Sequence, residues 1–235
     1  MSRLNKLQKF SELLSCPNVY ENFDYDNPEL RQGIVGEVKE MKGAWVSKHF
    51  KNENPLTLEL ACGRGEYSVA LAALFPNRNF VGVDIKGARI WKGATQAIEQ
   101  NLDNAAFLRT KIEQVALFFG KNEVDEIWIT FPDPFVSRTG IGEGKPNRRL
   151  TSPMYLNLYR QFLKPGGIVH LKTDSQELYE SSMEVLQHDA RCKIIYNDND
   201  IYSKPLYIPE LAVKTYYEAL NQAKGKTITY IQFTI

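Results

Sequence analysis

Leu56-Thr57-Leu58-Glu59-Leu60-Ala61-Cys62-Gly63-Arg64-Gly65 is the stretch that decides the fold. Its first six residues are a short apolar run that reads as a buried strand, and the two glycines end it in a turn. From residue 66 to 75 apolar side chains recur at helical spacing (Val69, Leu71, Leu74), and Pro76-Asn77 stops them. Further along the chain the same alternation repeats. Strands are expected over 79–85, 105–110, 124–131 and 168–173, and helices over 86–101, 112–119, 151–163 and 175–188. Lys164-Pro165-Gly166-Gly167 reads as a turn opening the fifth strand, and two late strands are expected near 193–196 and 227–234. Strands and helices alternating at this spacing imply βαβ units: an α/β fold, doubly wound, with a mostly parallel sheet. Ligands of such sheets bind at the carboxyl ends of the strands. Residues 1–50 are polar and irregular, with turn signals at Cys16-Pro17-Asn18 and Asp26-Asn27-Pro28. They read as an N-terminal extension to a main domain over 51–235.

The chain has 235 residues, 43% of them hydrophobic, enough for a sizeable core. A net charge of +1 excludes an acidic disordered tail and a globally basic nucleic-acid coat, so any anion site is local. No run approaches the ~20 apolar residues of a membrane span. No apolar signal-peptide core follows the basic Arg3, Lys6 and Lys9. Cys16, Cys62 and Cys192 are odd in number, far apart and without CxxC or Cys/His spacing. They point to reduced thiols in a cytoplasmic protein, and to no metal site.

A glycine-bearing strand-to-helix turn lets backbone N–H groups approach a ligand closely, and an acid ending the next strand accepts the hydroxyls of a ribose. Asp84 ends that strand, 19 residues beyond Gly65. Two glycines instead of three argue against a pyrophosphate-binding dinucleotide turn. On residue chemistry alone, an ordinary βα turn with a strand-end acid is equally open. Combined with Leu163-Lys164-Pro165-Gly166-Gly167 ahead of the fifth strand, the pattern resembles class I S-adenosylmethionine (SAM)-dependent methyltransferases, whose Rossmann-like sheet has seven strands. That resemblance implies SAM as methyl donor. Glu59, Ala61, Cys62, Gly63 and Gly65 would hold it at the turn, Asp84 would take its ribose, and Glu113 is the nearest candidate beside its adenine.

Phe131-Pro132-Asp133-Pro134-Phe135 ends the fourth strand, with two prolines stiffening the backbone around one carboxylate. From Ser137 to Arg149 the chain sets Arg138, Lys145, Arg148 and Arg149 against Glu143, a local net charge of +3. Such a segment beside a cofactor pocket suits phosphates, although charge alone equally describes a solvated loop. Together with Arg148-Arg149-Leu150, Thr173-Asp174 and Thr215-Tyr216-Tyr217-Glu218, in this order over most of the chain, the sequence resembles the bacterial tRNA (guanine-N7-)-methyltransferases. Those enzymes modify guanine 46 in the tRNA variable loop. Phe135 stands where that family has tryptophan, and Ser137 and Tyr216 where it has lysine.

The family resemblance implies that Asp133 is the catalytic residue and also lies beside SAM. It implies a tRNA-binding set of Ser137, Arg148, Arg149, Asp174, Thr215, Tyr216, Tyr217 and Glu218. Phe135, Tyr216 and Tyr217 are candidates to stack on a base drawn out of the tRNA, with at least one of the tyrosines expected in the core. Without the family, Asp174 fits a helix N-terminal acid and Glu218 a solvated helix face. Two alternatives stand beside this reading: a SAM methyltransferase for another acceptor, and a non-catalytic RNA-binding subunit. Oligomeric state is left open between monomer and homodimer, and no membrane partner is expected.

Overall fold

The computed structural model describes residues 5–137 and 144–235, so Arg3, Arg138 and Glu143 lie outside the described residues. Its centre is a five-residue strand, β4 (Leu56–Leu60), with every residue buried. Strands β5 (Asn79–Asp84), β6 (Ala105–Arg109), β7 (Val124–Thr130) and β8 (Leu163–Thr173) complete the parallel part. Helices α2 (Glu66–Leu74), α3 (Gly87–Glu99), α4 (Pro153–Tyr159) and α5 (Gln176–His188) make the crossovers. Strand β10 (Thr229–Thr234) runs antiparallel between β8 and β9 (Lys193–Asp198). From β6 to β9 the sheet reads β6-β5-β4-β7-β8-β10-β9, the seven expected strands, with the order reversing between β4 and β7.

Three short strands from the first 50 residues extend this sheet: β1 (Val19–Glu21), β2 (Arg31–Gln32) and β3 (Glu37–Val38). Strand β1 pairs in parallel with β6, and the whole sheet has ten strands. The extension is therefore built into the sheet. Helix α1 (Lys6–Ser15) opens with a capping box between Asn5 and Gln8 and buries Leu13 against α3. Trp45, fully buried, stacks on Phe119 at 5.1 Å and donates its indole N–H to the Phe118 carbonyl.

Strand alternation divides the core. Leu58, Leu60, Val81, Val83, Ile127 and Leu171 face one side, with Trp45, Tyr159 and Leu178. Phe80, Phe107, Trp128 and Tyr230 face the other, with Tyr67 and Ile90. A fully buried side chain of this size contributes roughly 1.5–3 kcal/mol, which makes each face a stable platform for the loops at the strand ends.

Three expected elements differ in detail. The segment after β6 is a 3₁₀ turn over Ile112–Leu117, too short to settle into a regular α-helix. Helix α4 begins only at Pro153, whose fixed φ suits a first helical position, and closes at Tyr159. Lys164 to Gly167 bulge out of β8 between the pairs Val124↔Leu163 and Glu126↔Ile168, with Gly166 at φ +76° supplying the reversal. Helix α6 (Tyr216–Ala223) is an element the apolar pattern did not announce. No helix among the described residues is long and apolar enough to cross a membrane.

Candidate active site

A cleft of about 520 Å³ opens at the carboxyl ends of the parallel strands, next to the point where strand order reverses. Ala61 comes to it from the end of β4, Asp84 from β5, Thr110 to Glu113 from the loop after β6, and Phe131 to Asp133 with Phe135 from the loop after β7. Arg148, Leu150 and Tyr155 complete the lining. Three of these residues hold positive φ without being glycine: Ala61 at +58°, Phe131 at +47° and Phe135 at +47°. Backbone in that region is costly for bulky side chains and persists where surrounding structure enforces it, commonly around ligand sites.

Asp84 is buried at the floor of the cleft, its Oδ2 accepting the Gly63 N–H at 2.9 Å and its Oδ1 the Lys86 N–H at 2.8 Å. Each carboxyl oxygen keeps a lone pair for a vicinal diol in the cleft, so the residues present fit the ribose of SAM. Asp133 is exposed at the opposite wall. Its Oδ1 accepts the Phe135 N–H at 3.0 Å, an Asx turn that fixes the carboxyl group relative to the Pro-Asp-Pro backbone. Glu113 accepts the Tyr155 hydroxyl at 3.0 Å.

The family model described as "putative methyltransferase" matches residues 53–231. The chain is 43% identical, over the full length of both proteins, to a tRNA (guanine-N(7)-)-methyltransferase of Christiangramia forsetii. It is 41% identical to one of Bacteroides fragilis, covering 98% of this chain and 86% of that one. The chain belongs to the tRNA (guanine-N(7)-)-methyltransferase family. Among solved structures, the 16S rRNA methyltransferase KamB aligns with a TM-score of 0.62 at 16% identity, covering 85% of this chain and 96% of KamB. A 16S rRNA (adenine(1408)-N(1))-methyltransferase solved with SAM, from Catenulisporales acidiphilia, aligns at TM-score 0.55 and 14% identity over 84% and 92% of the two chains. At these identities the likeness carries the fold, a Rossmann-like class I methyltransferase.

Within the family framework, Ala61, Asp84, Glu113, Asp133 and Arg148 all line the cleft. Gly63 adjoins it through its bond to Asp84. Gly65 serves packing: a Cβ there would meet the Phe107 ring at 2.4 Å, and its φ is +65°. Cys62 turns its thiol into the core beside Gly82, where burial raises it well above its ordinary pKa. Glu59 is likewise not among the residues that line the cleft. It is buried and accepts from the Ser68 N–H at 2.9 Å, the Ser68 hydroxyl at 2.5 Å and the Thr130 hydroxyl at 2.8 Å. Burial pushes its carboxyl up to about 7 in spite of those bonds.

The family's tRNA-binding set is split by the fold. Arg149 is buried, donating from Nε to the Pro134 carbonyl at 3.0 Å and pairing with Glu177. It fastens the Pro-Asp-Pro segment to α5 and, unlike Arg148, is not among the cleft residues. Asp174 pairs with Lys226 at 2.5 Å, and Ser137 is half-buried; neither is among the cleft residues. Thr215 caps α6, accepting the Glu218 N–H at 3.2 Å. Tyr216 and Tyr217 are 54% and 45% exposed, so neither is the core residue expected of one of them. The Tyr216 N–H bonds Glu66 at 2.7 Å, and the Arg64 guanidinium lies 5.1 Å from its ring centroid, which docks this segment on the glycine turn.

Glu218 is not on the solvated helix face that residue chemistry alone suggested, and it is not among the cleft residues. It is fully buried against Lys172, also fully buried, at 2.8 and 2.9 Å, and accepts the Tyr202 hydroxyl at 2.6 Å. Lys172 donates as well to the Leu211 and Val213 carbonyls, each at 3.0 Å. Burial pulls the Lys172 ammonium below its ordinary pKa, and Glu218 opposes that pull. The cleft residues that sequence reasoning passed over are Lys86, Arg89, Lys111 and Tyr155. The first two follow the strand-end acid by two and five positions, the only signal the sequence carried for them.

Proposed function

We propose that this protein transfers the methyl group of SAM to N7 of a tRNA guanine, guanine 46 of the variable loop. The observation that carries the reading is Asp133, held by its own Asx turn across the cleft from the diol-accepting Asp84, in a chain of this family. SAM supplies an electrophilic methyl group on sulfonium sulfur. Guanine N7 carries a lone pair and no proton at neutral pH, so the chain needs no general base and its task is alignment. Asp133 accepts hydrogen bonds from the guanine N1–H and exocyclic amine, turning N7 toward the methyl group. Asp84 and the Gly63 turn fix the ribose, and Glu113 with Tyr155 borders the adenine. Phe135 offers a ring for the extruded base, and the Arg148 guanidinium, 5.9 Å from that ring centroid, is placed for its phosphate.

No cluster of three or more potential metal-ligating side chains occurs among the described residues, and nothing in this alignment chemistry asks for a metal. Three unpaired thiols and a tRNA substrate fit a cytoplasmic enzyme. The test is methyl transfer from labelled SAM to two unmodified tRNA transcripts, one with the variable-loop guanine and one with it replaced. Label recovered as 7-methylguanosine from the first alone is the expected result. Label in both, or in neither while SAM still binds, rejects the assignment.

A further inference from the structure

Four cations stand on the cleft: Lys86 and Arg89 after β5, Lys111 after β6, and Arg148 before α4. Among the described residues none of them pairs with a carboxylate. Arg148 has only the Phe135 ring and Lys111 only the Tyr25 ring, 4.0 Å from its ammonium. The carboxyl groups of the cleft are engaged elsewhere, Asp84 with two backbone N–H groups, Glu113 with Tyr155 and Asp133 with Phe135. Against those three carboxylates the four cations leave the cleft lining a formal net +1, and the first turn of α3, where Lys86 and Arg89 sit, contains no acid. SAM accounts for at most one of them, through its single carboxylate. It is itself a net cation, and the adenosine half assigned to Asp84 and Glu113 is neutral.

Taking the tRNA reading as its basis, we infer that Lys86, Arg89 and Lys111 form a phosphate-binding wall, additional to Arg148, for the RNA backbone flanking the extruded guanine. The sheet order puts β5 and β6 two and three strands from β7, roughly 10 and 14 Å at the usual strand spacing. An RNA strand whose base reaches Asp133, just past β7, therefore passes these cations as it crosses the mouth. Tyr25, from the segment ahead of β2, props Lys111 at the rim, and this gives the N-terminal extension a part in substrate binding.

The experiment measures tRNA binding by fluorescence anisotropy between 50 and 200 mM salt, a range over which phosphate contacts dominate the change. It compares the unsubstituted protein with K86Q, R89Q, K111Q and the triple variant, and measures SAM affinity without RNA by calorimetry. Each single substitution is expected to lower the slope of log K against log salt by about 0.7–0.9, and the triple variant by about 2–3. SAM affinity stays within about threefold, which also reports that the variants are folded. The triple variant K86R/R89K/K111R, which keeps the charges, restores most of the slope. Slopes unchanged in the Gln variants, while the unsubstituted protein binds tRNA, overturn the wall alone. SAM affinity lost in step with RNA binding overturns it too, assigning the cations to the cofactor. Failure of the unsubstituted protein to bind tRNA overturns the underlying reading of function.

Discussion

Replacing Glu218 with Ala separates a substrate-contacting acid from a structural one. In the structure the change leaves the Lys172 ammonium, fully buried, with two carbonyl partners and no counter-charge, and removes the acceptor of the Tyr202 hydroxyl. Breaking a buried pair from one side costs about 3–5 kcal/mol, because the surviving charge stays desolvated. For a domain of this size that corresponds to a fall in Tm of roughly 6–20 °C. With a urea m-value of about 3 kcal/mol/M or less, the unfolding midpoint falls by about 1 M or more. The double variant Lys172→Met/Glu218→Ala leaves no lone charge, so it should lose clearly less than the sum of the two single variants. Urea unfolding followed by circular dichroism on all four proteins gives the coupling energy directly. The reasoning is refuted if Glu218→Ala unfolds at the unsubstituted midpoint while tRNA methylation is lost, since the carboxyl group would then be serving the nucleotide.

Four further outcomes are expected. Desolvation pulls the buried His170 and the half-buried His49 from 6.5 down to about 3 and about 4, so the unfolded chain binds more protons below pH 6.5 and stability falls with acidification. Glu59, raised from 4.5 to about 7, works in the opposite sense between those values and offsets one histidine. Together these three groups contribute a net loss of about 1.4 kcal/mol per pH unit between pH 6.5 and 4.5. His170→Phe should remove that slope from urea midpoints measured across the range, and an unaltered slope contradicts the assignment. Asp84→Ala should weaken SAM by about 1.5–3 kcal/mol through lost hydrogen bonds, read by calorimetry; equal affinity dismisses Asp84 as the ribose acceptor. Arg148→Ala should lower the salt slope of tRNA binding by about 0.7–0.9, whereas Arg149→Ala should lower the Tm and leave that slope alone. Gly65→Ala should cost about 1–3 kcal/mol by forcing a Cβ against the Phe107 ring, and a Tm equal to that of the unsubstituted protein would contradict the packing argument.

The central strands were legible because their apolar runs are bounded by glycine, proline and a strand-end acid. Those same punctuation marks place Ala61, Asp84 and Asp133 at the carboxyl ends of strands, and the structure brings all three to one cleft. Strands β2 and β3 were not legible: each is two residues long, with no buried residue, too short to show alternation. Arg149 and Arg148 are neighbours of the same charge, and only the fold tells that one reaches under the Pro-Asp-Pro segment while the other faces the cleft. Glu218 deceived for a related reason. A motif records that an acid is required at a position, and a buried counter-ion 46 positions away at Lys172 satisfies that requirement as well as a bound nucleotide does. The cations Lys86, Arg89 and Lys111 belong to no motif, and their meaning emerges only when strand order brings the segments after β5 and β6 to one mouth.

The pairing of Val19, Tyr20 and Glu21 with Phe107, Leu108 and Arg109 bears on how this molecule avoids its own kind. Strand β6 is apolar on both faces, and without β1 its outer row of N–H and C=O groups would stand open as a template for another chain. The sheet instead ends on β3, a two-residue strand with Glu37 and Val38 both exposed, which offers an incoming strand almost nothing to pair with. A version trimmed to residues 51–235 would retain every acid of the cleft and still expose a sticky flank. Its failure would show as concentration-dependent aggregation before any change in chemistry.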